Sequence, residues 1–180
     1  MKSMSSNDNL QNIPVSDFMT RNVRTITENE TMKQASKLMY QEDIGSVVIL
    51  RERDTDDHHD NSVARSTAER DVIPTGIVTE RDIARMVGFS AKFFSDISAS
   101  EVMSKPLITA SPDTSIKEAV ALMQQKDIRR LPVLNDKGLI VGIITDKDIL
   151  KAVVNTFKKT ISDHGLMSEG FDLLGFLGAE

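Results

Sequence analysis

The strongest constraint on this chain is that it carries one segment twice. VSDFMTRNVRTITENETMKQASKLMYQEDIGSVVIL, beginning at Val15, aligns with ASEVMSKPLITASPDTSIKEAVALMQQKDIRRLPVL, beginning at Ala99. An offset of 84 residues pairs Met19 with Met103, Thr25 with Thr109, Ala35 with Ala119 and Leu50 with Leu134. The ends of the copies, TGIVTERDIARMV and VGIITDKDILKAV, also align, but at an offset of 66 that sets Gly76 on Gly142. The first copy therefore holds 18 extra residues between Leu50 and Gly76, where the second has only the turn Asn135-Asp-Lys-Gly138. A repeat of this length is one supersecondary unit used twice. The polar insertion, residues 51–74, reads as a surface loop on the shared scaffold.

Each copy reads as strand, helix, strand, strand, helix. Met32, Ala35, Leu38 and Met39, and likewise Ile116, Ala119, Leu122 and Met123, fall at helical spacing. Thr31 with Gln34, and Ser115 with Glu118, have the form of capping boxes at the helix starts. Val47 to Leu50 and Leu131 to Leu134 are strand-length apolar runs, and Gly142-Ile-Ile-Thr145 is a strand that runs straight into a helix. One copy of about 60 residues buries too little surface to stand securely alone, so the two are expected to pack on each other. The fold class is α/β (α+β). The organisation is a flexible N-terminus at 1–12, a first domain at 13–90, a second at 95–156 and a tail at 157–180.

Composition narrows the function. There is no cysteine, which removes disulfides and thiolate-bound zinc. A net charge of −5 does not suit a surface spread over nucleic acid. No leading apolar run marks a secretory signal, and no stretch has the roughly 20 apolar residues needed to span a bilayer. The expected residence is cytoplasmic, without membrane. His58, His59 and His164 lie in the insertion and the tail, apart from the repeated motif, and no catalytic constellation stands out. Asp56-Asp-His-His-Asp60 has ligand-type residues, but adjacent side chains point different ways, so an acidic loop is expected there rather than a metal site.

The feature that carries chemistry is Gly-x-x-Thr-x-x-Asp, present as Thr79 with Asp82 and as Thr145 with Asp148. A carboxylate accepts hydrogen bonds from both hydroxyls of a ribose cis-diol. A helix N-terminus beside it would offer backbone N–H groups to phosphate, with Arg81 and Lys147 adding charge. The same spacing is also that of a capping box, and the two roles are compatible. Arg129 and Arg130 suit bidentate contact with phosphate. The first copy has Gly45 and Ser46 at the equivalent positions, so the two sites should differ.

GIVTERDI and GIITDKDI, following stretches such as DIRRLPVLNDKGLI, resemble the cystathionine-β-synthase (CBS) domain family, and two in tandem resemble its domain pair, the Bateman module. The resemblance covers roughly residues 13 to 156. It implies two domains packed sheet to sheet with pseudo-twofold symmetry, and two clefts that take AMP, ADP, ATP or S-adenosylmethionine. In that scheme Asp82 and Asp148 hold ribose and Thr79 and Thr145 assist. Adenine lies against the segments holding Thr20, Asn22 and Val23 or Ser104, Pro106 and Leu107, with Ile44-Gly45-Ser46 and Ile128-Arg129-Arg130 beside them. Asp148 is expected to share a cleft with Thr20 to Val23, and Asp82 with Ser104 to Leu107. The resemblance also implies a homodimer. The function expected is a stand-alone nucleotide sensor that signals to an unidentified protein partner, and not an enzyme. The alternative is a scaffold with vestigial clefts.

Overall fold

The computed structural model describes residues 13–52, 72–90 and 92–163. After a single 3-10 turn at Val15–Asp17, the first copy forms β1 (Thr25–Thr27), α1 (Met32–Gln41), β2 (Ser46–Glu52), β3 (Val72–Thr79) and α2 (Glu80–Phe89). A short α3 (Ala99–Val102) leads into the second copy, which forms α4 (Ile116–Lys126), β4 (Arg130–Leu134), β5 (Ile140–Thr145) and α5 (Asp146–Asp163). The order strand, helix, strand, strand, helix is complete in the first copy.

In the first copy β1 pairs in parallel with β2 through α1, and β2 pairs antiparallel with β3, giving the order β1-β2-β3. The β2–β3 ladder reaches Glu52 opposite Val72, so Arg51, Glu52 and residues 72–74, read as loop from their polarity, extend the strands instead. The rest of the insertion lies outside the described residues. The register slips between Ile49, opposite Gly76, and Leu50, opposite Pro74, leaving Thr75 as the extra residue of a bulge. Pro74 is tolerated because β3 is an edge strand and is interrupted there.

The second copy is thinner. β4 and β5 make a two-stranded sheet, and the expected first strand shrinks to a single parallel bridge, Ala110 to Val133. One residue explains the loss. In the first copy the Val48 N–H donates to Arg24 O at 3.1 Å, and the position equivalent to Val48 is Pro132, which has no N–H to give. The β4–β5 turn is as expected. Asn135 Oδ1 accepts from the N–H groups of Lys137 and Leu139 at 3.0 Å each, and Gly138 takes φ 75°, open to glycine at no steric cost.

Contacts divide the chain into two units that do not coincide with the repeats: Thr20–Pro112 with Leu131–Ile143, and Met1–Met19 with Asp113–Arg130 and Ile144–Glu180. The first has a core of Ile26, Met32, Met39, Val47, Ile49 and Val78, joined by Met86, Ile97 and Met103. Each of these large side chains contributes about 1.5–3 kcal/mol on burial. The second buries Val15, Met19, Ile116, Ala119, Met123, Ile149 and Ala152.

The helix starts show why the division falls there. Thr31 and Ser115 form the expected capping boxes with Gln34 and Glu118. The remaining N–H groups of α1 are met by the segment that leads into the other copy: Met32 N donates to Ile97 O at 2.9 Å and Lys33 N to Phe94 O at 3.0 Å. In α4 the same service comes from the segment before the first copy, with Ile116 N donating to Ile13 O at 2.9 Å. The bridges Thr31–Ser98 and Pro14–Ser115 are therefore the same contact made twice, each copy's lead-in satisfying the other copy's helix.

Candidate functional site

Thr79 ends β3 and Asp82 lies in the first turn of α2. Asp82 is 6% exposed, and its Oδ2 accepts from the Thr79 hydroxyl at 2.7 Å and from the Thr79 N–H at 2.9 Å. Among the described residues no group donates to Oδ1. A buried carboxylate is thus held at a strand–helix junction with one oxygen committed and the other available. Ser46 pairs with Thr79 across the ladder, and Gly45 O accepts from Glu80 N at 3.2 Å, so Gly45 and Ser46 flank the junction.

The Ser104 segment reaches the same strand. Ile77 and Ser104 exchange backbone hydrogen bonds of 3.3 and 2.9 Å, two residues before Thr79. Gly76 makes this approach possible, because a Cβ there would lie 2.5 Å from Met103 Sδ and 2.8 Å from Met103 Cγ. Asp82 opens onto a cavity of about 380 Å³ with Arg85, Met86, Phe89 and Glu101. Lys105, Pro106 and Leu107 line a different groove. Ile44 packs against the core, and Arg81 is exposed.

In the second copy Asp148 is also 6% exposed, and its Oδ2 accepts from Thr145 Oγ1 at 2.6 Å and Thr145 N at 3.1 Å. Its Oδ1 is engaged as well, by Lys151 Nζ at 3.3 Å. Among the described residues Arg85, at the position equivalent to Lys151, makes no such bond to Asp82. Arg129 and Arg130 stand at the head of β4, and Arg129 O accepts from Asp146 N at 3.1 Å, which sets the pair beside the start of α5. Arg129 and Lys147 are exposed, and Arg130 and Ile128 half-buried. Thr20 exchanges two backbone bonds of 2.9 Å with Ile143. Asn22 Oδ1 takes a long 3.5 Å bond from Arg24, and Val23 lines a cavity of about 230 Å³ with Arg21 and Ile140.

The helix starts differ from expectation in one respect. At the start of α5 the N–H groups expected to face phosphate are already in use. Along α5, Asp146 N donates to Arg129 O, Lys147 N to Asp146 Oδ1 at 2.9 Å and Asp148 N to Thr145 Oγ1 at 3.3 Å. Sequence could not show this, because the Arg129 carbonyl comes from another strand. Acidic first turns, Glu80 with Asp82 and Asp146 with Asp148, also meet the positive helix end with the protein's own charge. At the start of α5 any phosphate contact therefore falls to side chains. Among the described residues no group of three or more metal-ligating side chains occurs, and no helix is long and apolar enough to cross a membrane. The segment Asp56–Asp60 and His164 lie outside those residues.

A strand–helix junction with a buried, Thr-bound Asp thus occurs twice, at the end of a complete β-α-β-β-α frame in the first copy and of a frame without its first strand in the second. The CBS domain model matches residues 15–59 and 99–155, and the chain belongs to the CBS domain family. The protein MK0525 of Methanopyrus kandleri is 35% identical over 142 residues, 79% of this chain and 63% of that protein. The CBS domain-containing protein YhcV of Bacillus subtilis is 32% identical over 135 residues, 75% of this chain and 81% of YhcV. The chain thus spans less than two thirds of MK0525. A conserved protein of Pyrococcus horikoshii superposes with TM-score 0.62 at 27% identity, covering 79% of this chain and 92% of that one. The CBS domain pair of MJ0100, solved with 5-methylthioadenosine and S-adenosyl-L-methionine, gives 0.61 at 24% identity over 79% of this chain and 96% of that one. CBSX2, solved with AMP, gives 0.60 at 18% identity over 79% and 97%. The last two bear on the fold.

Proposed function

We propose that this chain is a regulatory module that binds an adenosine-type ligand, with Asp82 as its principal ribose acceptor. One observation carries the reading: Asp82 is buried, oriented by Thr79 through one oxygen, and keeps the other for a donor. A ribose diol supplies two such donors. Fold relatives that hold AMP, 5-methylthioadenosine or S-adenosyl-L-methionine support an adenosine ligand.

The second site is the less open of the two, because Lys151 must release Asp148 before a ribose engages both oxygens. Arg129 and Arg130 favour a phosphorylated ligand there, and the Gly45-Ser46 site a less charged one. The reading includes a cytoplasmic homodimer that passes ligand-dependent change to a protein partner, through differential affinity for two arrangements. Calorimetry with AMP, ADP, ATP and S-adenosylmethionine tests it, alongside light scattering for the dimer. Binding by at least one compound, weakened by Asp82→Ala, is the expected result. Silence from the whole panel at millimolar concentration rejects it in favour of a scaffold.

A further inference from the structure

We propose that Met103 is a modification site: its thioether takes one oxygen atom from a hydroperoxide, reversibly, at the point where the Ser104 segment is held to β3. Met103 acts here independently of any adenosine ligand, and every residue involved lies in one compact unit. The chain has nine methionines and no cysteine, so methionine is its oxidisable sulfur.

Three features single out Met103. It is 9% exposed and lines a groove of about 540 Å³ open to solvent, whereas Met32 and Met39 are 0% and 3% exposed. Its Sδ and Cγ stand 2.5 and 2.8 Å from where a Cβ on Gly76 would be, so the Gly76 backbone covers one side of the sulfur and an added oxygen must point away from it. On another side Thr75, which lines the same groove, donates its hydroxyl toward Sδ at 3.9 Å. A thioether is a weak acceptor. A sulfoxide oxygen is a much stronger one, and on that side it comes within reach of the same hydroxyl. That hydroxyl also reaches Ile49 O at 3.4 Å and has one proton to give, so oxidation draws it off the β2 carbonyl.

A sulfur lone pair attacks one peroxide oxygen, and the O–O bond breaks as the S–O bond forms. The second oxygen takes up the proton and leaves, as water when the oxidant is hydrogen peroxide. Sulfur loses the two electrons that the peroxide gains. The product is polar and chiral, and no longer the flexible apolar side chain that fits over Gly76. Ser104 follows directly, and its backbone bonds with Ile77, at 2.9 and 3.3 Å, hold the segment to β3. Oxidation of Met103 therefore loosens that pairing, and reduction of the sulfoxide by a methionine sulfoxide reductase restores it.

The test treats the full chain with hydrogen peroxide, maps methionine sulfoxide by mass spectrometry, and follows hydrogen exchange at the Ile77 and Ser104 amides. Met103 should be oxidised ahead of Met32 and Met39. Exchange at the two amides should then quicken at least about tenfold, as when a polar group is forced into an imperfectly paired site. Methionine sulfoxide reductase should reverse the change in the wild-type chain. Met103→Leu, close in volume, should abolish the response to peroxide while the other methionines still oxidise. Oxidation of Met103 no sooner than Met32 and Met39, unchanged exchange in a chain carrying Met103 sulfoxide, or the same quickening in Met103→Leu would each overturn the proposal.

Discussion

Met103 occupies the space that a side chain on Gly76 would need: a Cβ there would meet Met103 Sδ at 2.5 Å and its Cβ at 3.0 Å. This contact lets Ser104 pair with Ile77, two residues before Thr79 on the same strand. Gly76→Ala should destabilise by about 1–3 kcal/mol, the usual cost of overpacking, since the near part of Met103 and not only its flexible end is in the way. Met103→Ala alone should cost about 2–5 kcal/mol. Urea unfolding of the double variant should show less than the sum of the two, and strict additivity would contradict the contact.

The glycines away from this contact should behave oppositely to one another. Gly138 has φ 75°, and a Cβ added there would meet nothing within 4 Å, so Gly138→Ala should cost about 1 kcal/mol through backbone strain alone. Gly88 sits in α2, also with open space around it, and Gly88→Ala should stabilise by about 0.5 kcal/mol. Thermal melts of the two variants should move in opposite directions.

Acid should weaken the helix starts. The Ser115 N–H, and then its hydroxyl, hold Glu118 below the usual carboxylate value of 4.5, and the Ser98 N–H followed by Lys92 does so for Glu101. A carboxylate whose folded pKa is depressed contributes stability that is complete above its unfolded value and is lost as pH falls through the folded one. Stability should therefore decline as pH drops below about 4.5. Glu118→Gln keeps an acceptor for the capping box without a titrating group. Its stability profile should be flatter in that range, and an identical profile would remove Glu118 from the account.

The pair Lys151–Asp148 predicts a contrast between copies. Lys151 is 70% exposed, so Lys151→Ala should change stability by less than about 1 kcal/mol. It should nevertheless free Asp148 Oδ1 and raise ligand affinity at that site, read by calorimetry in an Asp82→Ala background. Unchanged or lower affinity would show that Lys151 does not compete with the ligand.

Much of this frame was legible in the sequence because its determinants are local. Apolar spacing placed Met32, Ala35 and Met39 on the buried face of α1, and Thr31 and Ser115 announced their helices. What escaped depends on partners far along the chain. Nothing near Pro132 says that it stands where Val48 donates, yet that missing N–H reduces the second copy's first strand to Ala110. The lead-in exchange, Ile13 to Ile116 and Ile97 to Met32, is a backbone arrangement with no side-chain signature. The Thr-x-x-Asp motif was visible twice and the Arg129-Arg130 against Gly45-Ser46 contrast with it, but the difference at the carboxylates was not, because it rests on whether Lys151 or Arg85 turns toward the Asp. The charge of Arg51 and Glu52 suggested loop, whereas strand pairing with Val72 and Ile73 prevailed.

The most direct test of the central claim is the affinity of AMP compared with 2′,3′-dideoxy-AMP, measured by calorimetry on the wild-type chain and on Asp82→Ala. A carboxylate that accepts from the diol predicts at least about tenfold discrimination in the wild type, since charge-assisted hydrogen bonds are lost with the hydroxyls. It predicts that most of this discrimination disappears in Asp82→Ala. Equal affinity of the wild type for both compounds, or the same discrimination in the variant, would contradict the role given to Asp82.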